Sequence, residues 1–285
     1  MMEKQRNRRK FSYGNLIHAL LDLSKFSEAA ACVETYAAYL SPQELRSIEE
    51  RLVQFVPPAS VYGKLNRKQP SAAGDELSIV FRQIYAQNAW ACPESRSGHG
   101  STLSQTRRIR QALPLLIREL KARSFLDIPC GDLNWMQHVP LGVDIYIGAD
   151  IVEELVCMNR EQYGNEFRKF LKLDITQDQL PRVDLIFCRD CLGHLTSNQI
   201  RRAIFNIIDS QSKYLAGTTF PEHGFNPDIQ AGMWRPINLE KPPFGLPPPQ
   251  VMINENYSEN GGRFRDKSIG VWEVSSLRAT RFPLK

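Results

Sequence analysis

Three acidic residues stand where short apolar segments end, and a glycine follows the first of them. Asp127 closes the apolar start of SFLDIPCGD, Asp150 comes nineteen residues after Gly131, and Asp174 closes a third apolar segment. Side chains at the carboxyl ends of parallel strands meet ligands there, and a glycine turn lets the backbone approach them closely. The spacing suits Asp150 as an acceptor for ribose hydroxyls, and Asp174 could accept from an adenine amino group. The alternative interpretation of each acid is a helix cap or a strand-end turn.

The glycine pattern of this turn argues against a dinucleotide ligand. A pyrophosphate requires the close backbone approach that Gly-x-Gly-x-x-Gly provides. The chain has Pro129, Gly131 and Leu133 here, so a single glycine remains. The sequence therefore predicts a nucleoside ligand other than NAD.

A second group of chemically active side chains follows the fourth apolar segment, in CRDCLGH. Arg189 and Asp190 would emerge at the carboxyl edge of the sheet, and His194 follows four residues after Asp190. His194 could act as a general base because the ordinary pKa of histidine lies near neutrality. Asp190 could orient that histidine or bind a substrate hydroxyl. The alternative is that His194 caps a helix and Asp190 accepts backbone hydrogen bonds.

The sequence gives little support for a metal site. Cys188 and Cys191 form a CxxC pair, but zinc normally requires four ligands and no second pair exists. A redox role requires a thioredoxin-like context, which is missing as well. Glu222 and His223 could join Asp190 around a hard metal ion, although acidic loop residues are common without one. We therefore predict no metal.

Two loops and two tryptophans could enclose the site. The loop Ser95–Thr102, which contains Arg96 and two glycines, is either a lid or an ordinary connector. Trp90 and Trp135 could wall a cationic group or pack in the core. The proline-rich segment 221–249 is a candidate substrate-facing cap. Its candidate contacts are Trp234, Arg235, Asn238 and Phe244.

Alternating strand and helix patterns from residue 124 onward would position these groups. Short apolar strands separated by helices are typical of a doubly wound parallel sheet. The parallel candidates are Phe125–Ile128, Ile145–Ala149, Phe170–Leu173, Val183–Cys188 and Tyr214–Thr218. Val251–Asn254 and Ile269–Val274 flank a turn-rich segment and could form an antiparallel pair. The sequence thus predicts an α/β, Rossmann-like, mostly parallel seven-stranded sheet with an antiparallel last strand.

Helical spacing predicts helices over 77–90, 109–120, Val152–Tyr163 and Asn198–Ser210, with Pro114 kinking or splitting the second one. Residues 1–56 look like a helical extension with a basic tail, and 57–76 have the prolines and glycines of a linker. The domain that carries the motifs would then span 77–285.

Charge and cysteine content limit the kinds of partner and the cellular compartment that the sequence predicts. The net charge is +5, and the first ten residues alone hold five bases and one acid. A nucleic-acid surface normally needs its basic residues on the folded domain, so nucleic acid is not an expected partner. No stretch approaches the ~20 apolar residues that span a bilayer, so no membrane association is expected. The six cysteines, without a signal peptide, predict a reducing, cytoplasmic setting.

The ordered segments LDIPCGD, YIGADI, KLDIT and DLIFCRDCLGHL resemble the motifs of class I S-adenosylmethionine-dependent methyltransferases. More narrowly, DIPCGDLNWM and CRDCLGHL resemble a bacterial group within that class, with the patterns DxPCGDxNWM and CRDxLxHL. The resemblance covers about residues 78–275. It departs in the glycine motif, where the class usually has glycines two, four and six residues after the acid.

The resemblance implies a set of cofactor contacts. Asp127 and Gly131 would lie under the methionine part of S-adenosylmethionine, and Asp150 would hold its ribose. Asp174 with Ile175 would flank the adenine. From their positions after the fourth strand, and not from the resemblance, Arg189 is expected to contribute its backbone beside the cofactor, and Asp190 and His194 are expected to be the catalytic residues. The remaining expected cofactor contacts are Pro129, Cys130 and Ile151.

The resemblance implies methyl transfer but no particular substrate, and the first hypothesis is a polar small-molecule acceptor that is methylated on a hydroxyl oxygen of a sugar or metabolite. One alternative is a protein or RNA methyltransferase that uses the basic tail and helical extension. Another is a domain that binds S-adenosylmethionine without catalysis. The sequence does not indicate an oligomeric state.

Overall fold

Seven short strands form one sheet in a computed structural model of the chain, which describes residues 75–278 and, before them, Ser47 alone. Their order across the sheet is β3-β2-β1-β4-β5-β7-β6. The first five strands pair in parallel, and β7 runs antiparallel to both β5 and β6. The strands are β1 (Ser124–Asp127), β2 (Ile145–Asp150), β3 (Arg168–Lys172), β4 (Leu185–Cys188), β5 (Tyr214–Thr219), β6 (Val251–Asn254) and β7 (Ser268–Glu273).

This sheet confirms the predicted fold class, including the antiparallel last strand. Each predicted strand lies within two residues of an observed one. The central strands are short and apolar because both faces are covered, so a side chain on either face must be compatible with burial. All four residues of β4, for example, are buried.

Five α-helices accompany the sheet among the described residues; the first four lie close to the predicted helices, whereas the last, which directly follows the final strand, was not predicted. They are α1 (Asp75–Ala86), α2 (Arg107–Glu119), α3 (Glu153–Tyr163), α4 (Ser197–Asp209) and α5 (Val274–Leu277). Pro114 was predicted to kink the second helix or to split it, and the splitting alternative is wrong because α2 continues through Pro114. Buried side chains on both sides of the proline hold the helix against the sheet, which offsets the lost hydrogen bond. These side chains are Ile109, Leu113, Leu116 and Ile117.

Two hydrophobic clusters cover the two faces of the sheet, as the alternation of strand side chains requires. Phe125 of β1 belongs to the cluster that includes the apolar face of α2. Its neighbour Leu126 belongs to the other cluster, with Ile200 and Ile204 of α4. Helices therefore cover both faces of the sheet, and the polar side chains that could bind a ligand lie at its edges.

The strand order reverses between β1 and β4, which are neighbours in the sheet although β2 and β3 separate them in sequence. Such a switch point opens a crevice at the carboxyl ends of the strands, where ligands bind in open α/β sheets. The turn after β1 and the residues after β4 lie at this crevice. These are the two segments in which the sequence analysis placed the cofactor turn and the catalytic residues.

The predicted helical extension 1–56 and linker 57–76 fall almost entirely outside the described residues, so this division of the chain stays a prediction. All the described elements lie in one compact unit, Pro70–Lys285, and α1 begins at Asp75. In the part of the chain that the structure describes, no helix has the length and apolar character needed to cross a membrane.

Candidate functional site

The turn after β1 is shaped around Gly131. Its φ of +56° lies in the left-handed region that glycine adopts without strain. A Cβ atom at this position would also collide with the Ser97 hydroxyl. Asn159 of α3 donates from Nδ2 to the Gly131 carbonyl at 2.7 Å, and the buried Cys130 donates its N–H to Ala149 at 2.8 Å. The single retained glycine is therefore held between three other segments, and Asn159 is a contributor that sequence reasoning missed.

Asp150, at the end of β2, fastens this turn. Its Oδ2 accepts the Gly131 N–H at 3.1 Å, and its Oδ1 accepts the Val152 N–H at 3.0 Å. Burial raises the pKa of Asp150 to about 6, while these backbone hydrogen bonds act in the opposite direction. Each carboxylate oxygen retains a lone pair that could accept from a ligand hydroxyl. The adjacent Ile151 is partly buried against the core cluster.

Asp127, by contrast, is enclosed by protein. It is 3% exposed, and Tyr146 of β2 donates its hydroxyl to Asp127 Oδ2 at 2.7 Å. Burial raises the pKa of Asp127 to about 7, although the hydrogen bond from Tyr146 lowers it. This carboxyl group supports the strand end from within, and Pro129 beside it is only partly buried. Contacts of Asp127 and Pro129 with a cofactor stay predictions.

Asp174 makes the hydrogen bonds of a strand-end turn. Its Oδ1 accepts from the Thr176 backbone at 2.8 Å and from the Thr176 hydroxyl at 2.7 Å, and its Oδ2 accepts from Gln177 Nε2 at 3.0 Å. Ile175 is 5% exposed and belongs to a core cluster. These contacts are those of the alternative interpretation given above, and the predicted role of Asp174 and Ile175 toward adenine stays a prediction.

Arg189 lies in a buried network of charges that the sequence did not reveal. Its Nε and Nη2 donate to Glu255 Oε2 at 3.0 and 2.6 Å, and Nη2 also donates to the Gly100 carbonyl at 2.8 Å. The guanidinium stacks over Trp135 at 5.3 Å and lies 3.1 Å from Asp190 Oδ2. The Trp135 ring therefore packs against the guanidinium of Arg189 and is not free to line a ligand site.

Asp190 is the accessible member of this network. Its Oδ2 accepts from Lys267 Nζ at 2.5 Å, and one quarter of its side chain is exposed, against 3–4% for Arg189 and Lys267. Burial raises the pKa of Asp190, but Lys267 and Arg189 overcome that effect and lower it to about 2. Its φ of +53° is a left-handed conformation that aspartate tolerates, and its N–H donates to Thr218 at 2.9 Å. The carboxylate is thus ionised and fixed in place.

His194 is half-buried in the turn that follows β4. Its Nδ1 lies 3.0 Å from the Met233 carbonyl, so this nitrogen carries the proton and Nε2 has the lone pair. Burial lowers the pKa of His194 to about 4, with a contribution from Arg235, although the nearby Asp190 charge raises it. The expected titration near neutrality is therefore wrong. The suggestion that Asp190 orients the ring is wrong too, because the Met233 carbonyl does so.

The loop Ser95–Thr102 is anchored at both ends of the crevice. Asp132 accepts from the Ser95 hydroxyl at 2.9 Å and from the Arg96 N–H at 2.8 Å, and its own N–H donates to Ser97 Oγ at 2.9 Å. At the other end, a Cβ on Gly100 would lie 2.9 Å from Asp190 Oδ2. The loop therefore covers the turn after β1 and reaches Asp190, as a lid would. The second aspartate of DIPCGD, Asp132, was the available signal for this anchor.

We expect Asp132→Ala to release this loop, because Ser95, Arg96 and Ser97 would lose the carboxylate they share. Charge-assisted hydrogen bonds contribute roughly 1.5–3 kcal/mol each, so local opening should increase about tenfold or more. Limited trypsin digestion at Arg96 measures the opening. Asp209→Ala, an exposed change at the end of α4, is the matched control. Equal cleavage rates in both variants would contradict the role of Asp132 as an anchor.

Most of the predicted contacts in the segment 221–249 are structural. Arg235 is 1% exposed and donates to the Pro227 and Gly193 carbonyls at 2.8 and 3.1 Å. Asn238 is 2% exposed and donates to the Pro221 and His223 carbonyls, and Phe244 is part of the core. These three predictions are wrong because a segment without regular backbone pairing needs internal polar contacts and an apolar anchor. Trp234 alone among the four is half-buried, with Phe264 at 4.8 Å.

Several smaller hypotheses can also be placed. Trp90 is half-buried, and its ring lies 5.3 Å from that of His194, so it contacts one of the two predicted catalytic residues. Cys188 and Cys191 are free thiols in contact with each other. Across the described residues, no cluster of three or more histidine, cysteine, aspartate or glutamate side chains has the arrangement of a metal site.

No family model and no curated protein matches the chain. Among solved structures, the 1,6-didemethyltoxoflavin-N1-methyltransferase of Burkholderia thailandensis, with bound 1,6-didemethyltoxoflavin and S-adenosylhomocysteine, gives a TM-score of 0.50 at 16% identity. The match covers 72% of this chain and 91% of that one. The N-methyltransferase NodS from Bradyrhizobium japonicum, in complex with S-adenosylhomocysteine, gives 0.40 at 16% identity, over 49% and 72% of the two chains. At 16% identity the first match shows a shared fold.

Proposed function

We propose that this chain is an S-adenosylmethionine-dependent methyltransferase that acts on a polar small molecule. The observation that carries the proposal is the crevice at the β1/β4 switch point, where Asp150 holds the Gly131 turn by a hydrogen bond and Asp190 lies partly exposed at the other side. The motif resemblance and the fold shared with the 1,6-didemethyltoxoflavin-N1-methyltransferase support the same conclusion.

The donor set of the turn fits such a cofactor. Asp150 would accept from the ribose hydroxyls, because both of its oxygens are already oriented by backbone N–H groups and retain lone pairs. Gly131 would let the backbone approach the cofactor closely, and Ser97 would have to move with its loop or become part of the contact. When bound, S-adenosylmethionine would supply a methyl group on a positively charged sulfur.

The chain's own contribution would be alignment. Asp190 is held by Lys267, Arg189 and Thr218, so its position relative to the sheet edge does not depend on a mobile side chain. Alignment of acceptor and methyl group can supply a large part of the barrier reduction in a displacement reaction. The sequence-based expectation of a hydroxyl oxygen acceptor stays a candidate.

Asp150→Ala should weaken the binding of S-adenosylhomocysteine by ~1–3 kcal/mol, the usual cost of removing a buried hydrogen-bond partner. Isothermal titration calorimetry measures the affinity, with circular dichroism as a check that the variant is folded. Asp209→Ala is the control and should bind as the parent protein does. NAD serves as the competing ligand, and tighter binding of NAD than of S-adenosylhomocysteine would disprove the proposed function.

A further inference from the structure

The side chain of Ser97 fills the space beside Gly131. A Cβ atom built on Gly131 would lie 3.1 Å from Ser97 Cβ and would overlap Ser97 Oγ. A glycine in a turn lets another group approach the backbone closely, and in this structure that group is the Ser97 hydroxyl. The Ser95–Thr102 loop therefore occupies the surface of the turn that the proposed cofactor would need.

The Ser97 hydroxyl is committed to the turn as both acceptor and donor. Its Oγ accepts the Asp132 N–H at 2.9 Å and donates its proton to Asp132 Oδ1 at 3.1 Å. A hydroxyl has one proton, so Ser97 has no donor left for a ligand while the loop is in this position. Ser95 and Arg96 hydrogen-bond to the same carboxylate, at 2.9 and 2.8 Å. Asp132 thus latches the loop onto the turn.

Contacts at its base and at its far end complete the closed position of the loop. Glu94 Oε1 accepts the Leu103 N–H at 2.6 Å, which joins the two residues that flank the loop. Arg189, whose side chain is 3% exposed, donates from Nη2 to the Gly100 carbonyl at 2.8 Å. The loop is therefore held on both sides of the crevice, at the turn after β1 and at the residue after β4.

The composition of the loop favours reversible opening. Its sequence, SRSGHGST, contains no apolar side chain, so opening would expose little apolar surface and water could replace the lost hydrogen bonds. Gly98, with a φ of +93°, gives the centre of the loop the conformational freedom of glycine. Segments with few buried apolar contacts open at a free-energy cost well below that of global unfolding.

Building on the proposed function, we propose that the closed Ser95–Thr102 loop blocks the cofactor site, and that S-adenosylmethionine binds only after Ser97 leaves Gly131. Ser97 and the cofactor require the same surface of the turn, so the two cannot occupy it together. The Asp132 latch therefore competes with the cofactor for the turn.

The sign of one effect distinguishes this role from that of a lid that closes over its ligand. If the closed loop excludes the cofactor, the apparent affinity is reduced to the fraction of molecules with an open loop, and a weaker latch strengthens binding. If the loop closed over a bound cofactor instead, a weaker latch would weaken binding, because the closed form would be the one that binds.

Ser97→Ala tests the competition directly. The variant removes both hydrogen bonds between the hydroxyl and Asp132 and clears the space beside Gly131. We expect S-adenosylhomocysteine to bind about tenfold more tightly than to the parent protein, the effect of one or two ordinary hydrogen bonds. Isothermal titration calorimetry measures the affinity, and circular dichroism checks the fold. Ser275→Ala, an exposed change in α5, is the matched control and should bind as the parent protein does.

Limited trypsin digestion of the parent protein gives a second measurement that needs no variant. Saturating S-adenosylhomocysteine should hold the loop open and accelerate cleavage after Arg96 about tenfold, as mass spectrometry of the fragment that ends there would show. Cleavage after the exposed Arg278, outside the loop, is the internal reference and should not change.

The contrary results are equally definite. Equal or weaker binding of S-adenosylhomocysteine to Ser97→Ala overturns the competition, and so does unchanged or slower cleavage after Arg96 when the ligand is bound. Absence of binding to the parent protein and to both variants would instead refute the proposed function, on which this inference rests.

Discussion

Replacing Asp190 by asparagine is expected to lower the rate of methyl transfer ~10²-fold, because misplacement of a reacting group by about 1 Å costs roughly that factor. The affinity for S-adenosylhomocysteine should hardly change, since Asp190 lies at the acceptor end and Asp150 at the ribose end. His194→Ala should give a similar loss. If the two residues hold the same acceptor group, the double variant should lose less than the product of the single losses.

Formation of S-adenosylhomocysteine in the presence of a polar small-molecule acceptor measures these rates, with Asp209→Asn as the control. The pH profile adds an independent check. Asp190 and His194 have pKa values of about 2 and about 4, so neither changes protonation near neutrality. The rate should then be level between about pH 5 and about pH 8. A limb near neutrality that vanishes in His194→Ala would show that the histidine is a general base with an ordinary pKa.

Replacing Glu255 by glutamine should destabilise the fold by about 3–5 kcal/mol, the usual cost of removing one partner of a buried ion pair. Glu255 has a fully buried side chain and receives two hydrogen bonds from Arg189, which is itself 3% exposed. Oε1 of Glu255 has no hydrogen-bond partner, so Oε2 carries the whole interaction. The variant would leave Arg189 with Asp190 as its sole anionic partner, while Asp190 already binds Lys267.

Urea unfolding measures this loss, and Glu119→Gln on the exposed end of α2 is the matched control. A second variant separates charge from shape. Arg189→Met combined with Glu255→Gln removes the unpaired cation, so its loss of stability should be smaller than the sum of the two single losses. A Glu255→Gln protein as stable as the parent would mean that water or another group compensates Arg189 in solution.

Local sequence patterns were enough to predict the sheet and the position of the crevice. Apolar segments such as Leu185–Cys188 leave no polar face, so they can form only strands covered on both sides, and helices between them require parallel pairing. Because the carboxyl ends of parallel strands meet at one edge of a sheet, the sequence predicts that Asp127, Asp150 and Arg189 lie near one another. Local sequence patterns suffice to predict strands and their ends, because these features depend on residues that are neighbours in the sequence.

Tertiary structure decided what these side chains do. Glu255 and Lys267 lie 66 and 77 residues after their partners Arg189 and Asp190, and the pairing of β6 with β7 and of β7 with β5 brings them back. No local pattern encodes such a contact. Protonation also depends on surroundings: desolvation by distant segments moves His194 away from neutrality. The sequence therefore predicted that Asp190 and His194 follow the end of β4, whereas long-range packing determined the hydrogen-bond partners and the pKa values of these two side chains.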